Sequence, residues 1–272
     1  MATDTDRSRD LGKAKRRLCF NGYPTNGSRF GRRGISRQTF SNKNPVTKIG
    51  STNMGEQRQS AIRVLLVGAT GLVGGHCLSQ LLADEDIGQV TIFARHPLEQ
   101  THPKLTVHLV DFDQLRDHAG AIDADAVLCC LGTTHRAAGS PEAFAKVDHI
   151  YVAELARLAA AHGVPRFVLV SAVGADPSSP VFYNRVKGRA EAAVSELPFK
   201  TVHLLRPSLL LGEHREARPV EDWSQRLAPL WTPFLWGPFS RYRPVPAETV
   251  AAKMVELAKS DQEGVHIHHF TP

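Results

Sequence analysis

Four apolar residues, Val64-Leu65-Leu66-Val67, run directly into Gly68-Ala69-Thr70-Gly71-Leu72-Val73-Gly74, and a helical pattern follows over 72–82. A strand that bends through spaced glycines into a helix is compatible with few folds. Gly68 permits the tight bend, Gly71 lets the backbone approach a ligand, and Gly74 lets the helix lie close to the strand. The free N–H groups at the helix start carry partial positive charge, which suits phosphate. The segment formed by Gly68, Thr70, Gly71, Leu72, Val73 and Gly74 is thus expected to cradle a pyrophosphate.

The rest of the chain repeats that alternation. Short apolar runs at 63–67, 90–93, 105–110, 126–131, 166–170 and 201–205 read as strands. Amphipathic stretches at 72–82, 141–162 and 182–197 read as helices between them. Strands this uniformly apolar belong in a parallel sheet covered on both faces. The expected fold class is therefore α/β, a Rossmann-type doubly wound parallel sheet. A last helix is expected from Pro246 to about residue 258, with proline suited to its first turn. Before it, Trp223, Trp231, Phe234, Trp236, Phe239 and Tyr242 crowd a Pro-rich stretch. Residues 207–246 are expected to form a small C-terminal substrate lobe, with these aromatics either capping the cleft or serving as an oligomer surface.

Charge divides the chain in two. Residues 1–60 hold 13 Lys/Arg against 4 Asp/Glu, a net +9, whereas the remainder holds 20 against 23, a net −3. The overall +6 thus describes the first 60 residues, which read as a disordered basic extension. Residues 61–272 form the expected folded domain, mildly acidic and without the basic face that nucleic acid requires. A transit peptide fits the arginines of the extension, but Asp4, Asp6 and Asp10 argue against one, and Met54 is an alternative start. No run of about 18 apolar residues is present, so no membrane span is expected. Cys19, Cys77, Cys129 and Cys130 show neither C-x-x-C nor framework spacing, and a reducing, cytoplasmic location is expected.

The second strand bears on the nucleotide. A site for NAD places an acid at the end of this strand to hold the ribose hydroxyl, whereas arginine suits a 2′-phosphate. Here the residues are Ala94-Arg95-His96, and the Arg95 guanidinium can grip phosphate through two hydrogen bonds. NADP is the expected cofactor, NAD the lesser candidate. Asp111 and Phe112, closing the third strand, are expected near the adenine.

Tyr183 and Lys187 stand four residues apart and therefore on one helical face. An ammonium beside a phenol favours the phenolate, which a general acid–base near neutral pH needs. Ser171 follows the fifth strand, so its hydroxyl is expected at the carboxyl edge of the sheet, where ligands bind. There Ser171 would orient a carbonyl oxygen, Tyr183 would deliver a proton, and Lys187 would tune Tyr183 and hold the ribose.

In these residues the chain resembles the atypical short-chain dehydrogenase/reductase superfamily, and most closely its Tat-interacting-protein-like oxidoreductases. The matching stretches are the glycine turn, Cys129-Cys130-Leu131-Gly132-Thr133-Thr134, Val147-Asp148, Ser171-Ala172-Val173-Gly174-Ala175-Asp176, Tyr183 to Gly188, and Leu205-Arg206-Pro207 through Gly212. The similarity spans about residues 62–260. It implies Ser171, Tyr183 and Lys187 as the catalytic group, with Gly132, Thr133 and Pro207 beside the nicotinamide. It also implies an NADP(H)-dependent oxidoreductase moving hydride to or from a small carbonyl or alcohol. The alternatives are an NADP(H)-binding sensor with little turnover and an epimerase or dehydratase that recycles its nicotinamide. Ala172 stands where relatives often carry a second serine. His266, His268 and His269 lack accompanying ligands, so a polar strand end is expected there and no metal.

Overall fold

The computed structural model describes residues 61–212 and 243–270. The proposed basic extension, the six aromatics between 223 and 242, and most of the expected substrate lobe lie outside the described residues. The elements run β1 (Ile62–Val67), α1 (Leu72–Ala83), β2 (Ile87–Ala94), β3 (Leu105–Leu109), a 3-10 segment (Phe112–Ala121) and β4 (Ala126–Cys129). Then come α2 (His135–Ala138), α3 (Pro141–Ala145), a π turn (Lys146–Ile150), α4 (Tyr151–Ala161), β5 (Arg166–Val170) and α5 (Phe182–Ser195). The chain closes with β6 (Thr201–Arg206), β7 (Leu210–Leu211), β8 (Val245–Pro246), α6 (Ala247–Ala258) and β9 (Gly264–His269).

Seven strands form one parallel sheet in the order β3-β2-β1-β4-β5-β6-β9. The order reverses between β1 and β4, and such a switch point opens the ligand crevice of a doubly wound sheet. Alternation within each strand feeds two cores. Val64, Leu66, Ile92 and Leu128 meet α1 and α6 on one face. Leu65, Val67, Phe167 and Leu204 meet α4 and α5 on the other. Because both faces are covered, a strand such as β1 is apolar at nearly every position. Leu65 and Leu66 are fully buried, and truncating either to alanine would cost about 2–5 kcal/mol.

Several boundaries differ from the sequence pattern. The stretch 141–162 is not one regular helix: a π turn at Lys146–Ile150, which carries the buried Asp148, separates α3 from α4. The third strand stops at Leu109. Asp111 instead caps the 3-10 segment, its Oδ1 accepting from Asp113 N at 2.9 Å. Pro246 is the N-cap of α6 rather than its first residue. His266, His268 and His269 lie on a seventh strand, paired to β6 in register His203 to His266.

Candidate functional site

The glycine turn joins β1 to α1 at the switch point. Gly68 sits at φ +87°, a left-handed value that disfavours a side chain, and a Cβ there would stand 2.5 Å from the carbonyl oxygen of Cys130. A Cβ at Gly74 would stand 2.1 Å from the Gly68 oxygen, so only glycine lets α1 pack this closely on the turn. Gly71 is the N-cap of α1 and offers no side-chain acceptor, and the first turn holds no acid. The amides of Leu72, Val73 and Gly74 are therefore left for an anion. Thr70 and Gly71 are exposed at the tip, Leu72 is half-buried and Val73 is buried.

Arg95 follows the last residue of β2 and is exposed, with no hydrogen-bonded or ion-paired partner among the described residues. Asp111 is engaged in its capping role. Phe112 is buried and stacks at a tilt on Tyr151, with centroids 5.5 Å apart, so its ring belongs to the core.

Ser171 lies just past β5. It is 4% exposed, and its Oγ has no hydrogen-bond partner among the described residues, while its N–H donates to Leu205 O at 2.7 Å. A buried hydroxyl left unpaired costs about 1–3 kcal/mol, so a partner beyond the described residues is expected to meet it. Pro207 is buried on the next loop and its carbonyl accepts from Val173 N at 2.9 Å, which ties the loops after β5 and β6 together.

Tyr183 is half out of the protein, its ring 5.6 Å from that of Phe144, while Lys187 one turn later is buried. The Lys187 Nζ pairs with Asp148 Oδ1 at 2.8 Å, and Asp148 Oδ2 accepts from Thr133 N at 2.9 Å. Burial works against the lysine's charge, but Asp148 and then Tyr183 work for it, and Lys187 ends above the ordinary lysine value. Gly132 lies against this pair: a Cβ there would stand 3.4 Å from Asp148 Oδ1 and 3.6 Å from Lys187 Nζ. Helix α5 is anchored by Glu191, whose carboxylate accepts from Arg206 Nε and Nη2 at 3.0 and 2.5 Å. That clamp fixes the helix bearing Tyr183 and Lys187 to the carboxyl end of β6.

Asp148 is the residue that sequence reasoning missed as a site member. Val147-Asp148 is one of the stretches that carry the family resemblance, but a lone carboxylate between Val147 and His149 gives no sign of its role. Thr133 enters through its backbone N–H. Cys129 contributes no chemistry, since burial pushes its thiol up to about 12. At the far edge of the sheet, His203 Nδ1 and His268 Nε2 approach to 3.0 Å, and His266 Nε2 meets Glu263 O at 2.9 Å. Among the described residues, no group of three or more His, Cys, Asp or Glu is arranged to hold a metal ion. Nor, among the described residues, is any helix long and apolar enough to cross a membrane.

Residues 68–208 match a family model described as NAD(P)H-binding. Protein HTATIP2 of Rattus norvegicus is 38% identical over 205 residues, covering 74% of this chain and 83% of its own. Protein fmp52, mitochondrial, of Aspergillus niger is 36% identical over 165 residues, covering 58% of this chain and 70% of its own. Among solved structures, MoeE5 in complex with UDP-glucose and NAD aligns with a TM-score of 0.60 at 16% identity, over 77% of this chain and 76% of that one. A UDP-N-acetylglucosamine 4-epimerase from Methanobrevibacter ruminantium M1 aligns with a TM-score of 0.59 at 16% identity, over 76% of each chain. At such identity the two structures speak to the fold alone.

Proposed function

The chain belongs to the atypical short-chain dehydrogenase/reductase superfamily, in its Tat-interacting-protein-like branch of nicotinamide-dinucleotide-binding oxidoreductases, and from that premise we propose that it is an NADP(H)-dependent reductase or dehydrogenase of small carbonyl or alcohol substrates. The observation that carries this function is the buried hydroxyl of Ser171 at the carboxyl end of β5, which has no partner among the described residues. In an open α/β sheet that edge faces the ligand crevice.

The residues fit the dinucleotide. Gly68, Gly71 and Gly74 add no side chain to the turn where a pyrophosphate would approach, and the uncapped first turn of α1 supplies amides to it. Arg95, exposed and without a partner among the described residues, suits the 2′-phosphate that distinguishes NADP. Gly132, Thr133 and Pro207 would flank the nicotinamide, and Asp111 with the edge of Phe112 would border the adenine. When bound, the nicotinamide supplies or takes up the hydride.

The chain's own groups manage the oxygen. Ser171 Oγ donates a hydrogen bond to the substrate oxygen and so gains the partner it lacks. Tyr183, half-exposed, holds the proton that this oxygen gains on reduction or loses on oxidation. Lys187 keeps a positive charge one turn away and would hold the ribose hydroxyls. The free, buried cysteines fit a reducing compartment. The cytoplasm is our choice over the mitochondrion named for fmp52, and fractionation of the tagged protein decides between them.

Two other functions have some support. Ala172, where a second hydroxyl is common, favours an NADP(H)-binding sensor with little turnover. The fold shared with nucleotide-sugar epimerases favours an enzyme that recycles its nicotinamide. A screen of aldehydes, ketones and alcohols with NADPH consumption as readout separates the three. Net stoichiometric oxidation of NADPH is expected, and Tyr183→Phe should lower it by about 10²–10⁴-fold with NADPH affinity retained. Full activity in that variant would remove Tyr183 from the reaction.

A further inference from the structure

We propose that Cys77, Cys130 and Met254 form an all-sulfur site for a soft monovalent cation, Cu(I), set behind the glycine turn. This binding activity lies beyond the hydride-transfer function and does not rest on it.

Three sulfurs from three elements meet in the core between the sheet and the helices α1 and α6. Cys77 comes from α1, Cys130 from the residue after β4, and Met254 from α6. The Met254 Sδ lies 3.8 Å from Cys77 Sγ and 3.6 Å from Cys130 Sγ. The two thiols are themselves hydrogen-bonded neighbours, which closes the triangle. With a third edge of like length, a cation centred among sulfurs so spaced stands about 2.1–2.2 Å from each, close to the ~2.3 Å of a metal–thiolate bond. Cys77 and Met254 are fully buried, whereas Cys130 is only half-buried and gives the site an edge.

The donor set selects the ion. Thiolate and thioether sulfur are soft ligands that suit Cu(I), whereas calcium and magnesium require oxygen. Zinc in a structural site takes four ligands. Among the described residues, no His, Asp or Glu joins the two cysteines in a metal-holding group. Packing by itself asks for less than this arrangement. A buried cysteine serves as a small apolar group and methionine as a gap-filler, and neither role requires sulfur beside sulfur.

The frame around the sulfurs is fixed. The Cys130 N–H donates to Val67 O at 2.8 Å, and a Cβ at Gly68 would stand 2.5 Å from the Cys130 carbonyl oxygen. Cys77 lies three residues after Gly74 on the same helix. The ion thus ties α1 and α6 to the end of β4, directly behind the turn proposed for the pyrophosphate. It takes the place of the two thiol protons, which leave to solvent. Copper stays as Cu(I), nothing is oxidised, and the occupied site carries one net negative charge.

The test uses the full chain with Cys19→Ser in every sample, so that the cysteine outside the described residues binds no copper. This parent, reduced and kept free of oxygen, is titrated with Cu(I) held by the coloured chelator bicinchoninate. It should withdraw one Cu(I) per chain. Adding Cys77→Ala or Cys130→Ala should abolish the withdrawal. Adding Cys129→Ala, which alters the core on the opposite face of the sheet, should leave it at one. X-ray absorption of the copper-loaded parent should show three sulfur neighbours at about 2.3 Å and no nitrogen or oxygen. Met254→Leu, which keeps the apolar volume, should reduce the three to two. The parent's spectrum requires no cysteine-to-alanine variant, so it decides the matter even if one of those fails to fold.

A parent that withdraws no Cu(I) overturns the proposal. So does full withdrawal by Cys77→Ala or Cys130→Ala, a spectrum with fewer than three sulfurs or with a nitrogen or oxygen neighbour, or three sulfurs retained in Met254→Leu. None of these measurements involves NADPH or turnover, so failure of the proposed function leaves them standing, and their failure leaves that function standing.

Discussion

At the carboxyl ends of β4 and β5, Lys187 is buried with a carboxylate 2.8 Å from its ammonium. At the outer edge of the same sheet, His203 is buried just as deeply, but His266 and His268 crowd it, and of the charged neighbours Lys253 opposes its charge while only Glu256 favours it. Burial acts on both groups in the same sense. Lys187 nonetheless ends above the ordinary lysine value, whereas His203 is pushed down to about 4. The difference lies in the partner: a carboxylate in contact compensates burial, and neighbouring imidazoles do not. One cluster therefore keeps a charge available for chemistry, and the other behaves as part of the core.

The largest test of this contrast is Lys187→Met. It strands Asp148 without its counter-charge and should cost about 3–5 kcal/mol in urea unfolding at pH 7. A loss no greater than an ordinary core substitution would break the contrast, because Asp148 would then not depend on its partner.

His203→Gln examines the other cluster. With a folded value of about 4 against 6.5 unfolded, His203 stays neutral in the folded chain while the unfolded chain takes up a proton. Its share of stability is complete above pH 6.5 and is lost as pH falls toward about 4. Replacing it should flatten that acid limb of urea midpoint against pH, leaving a smaller slope from His268, which burial also lowers. An unchanged limb would show that His203 does not expel charge.

The smallest effect sharpens the comparison with a charge that is neither buried nor paired. Arg95→Ala should weaken NADPH binding by about tenfold in calorimetric titration and leave NADH affinity and Tm unchanged. Equal affinity of the wild type for NADPH and NADH would remove the case for NADP.

Much of the site was legible because its signals are local. Gly68 and Gly74 announce a strand–turn–helix junction within seven residues. Ser171 follows an apolar run, and the spacing of Tyr183 and Lys187 puts both on one helical face. Val147-Asp148 carries part of the family resemblance, but the role of Asp148 stayed hidden because nothing within a few residues of it says that it faces inward. Its direction comes from a π turn, and that turn is held by Lys187, 39 positions later, and by the Thr133 N–H, 15 positions earlier. Asp111 was misjudged as a strand end for a similar reason: its carboxylate is taken up by Asp113 N, and the 3-10 segment that this caps has no strong periodicity.

By itself, the sequence determined the class of fold, because uniformly apolar short runs alternating with helical hydrophobic patterns dictate a sheet buried on both faces. It also determined where the chain bends, because only glycine tolerates the φ of +87° at Gly68 and the close approach at Gly74. Only the tertiary structure decided which buried polar groups keep a charge. That outcome depends on the few ångströms between side chains brought together from distant segments, and Coulomb energy in a poorly hydrated interior varies steeply over such distances.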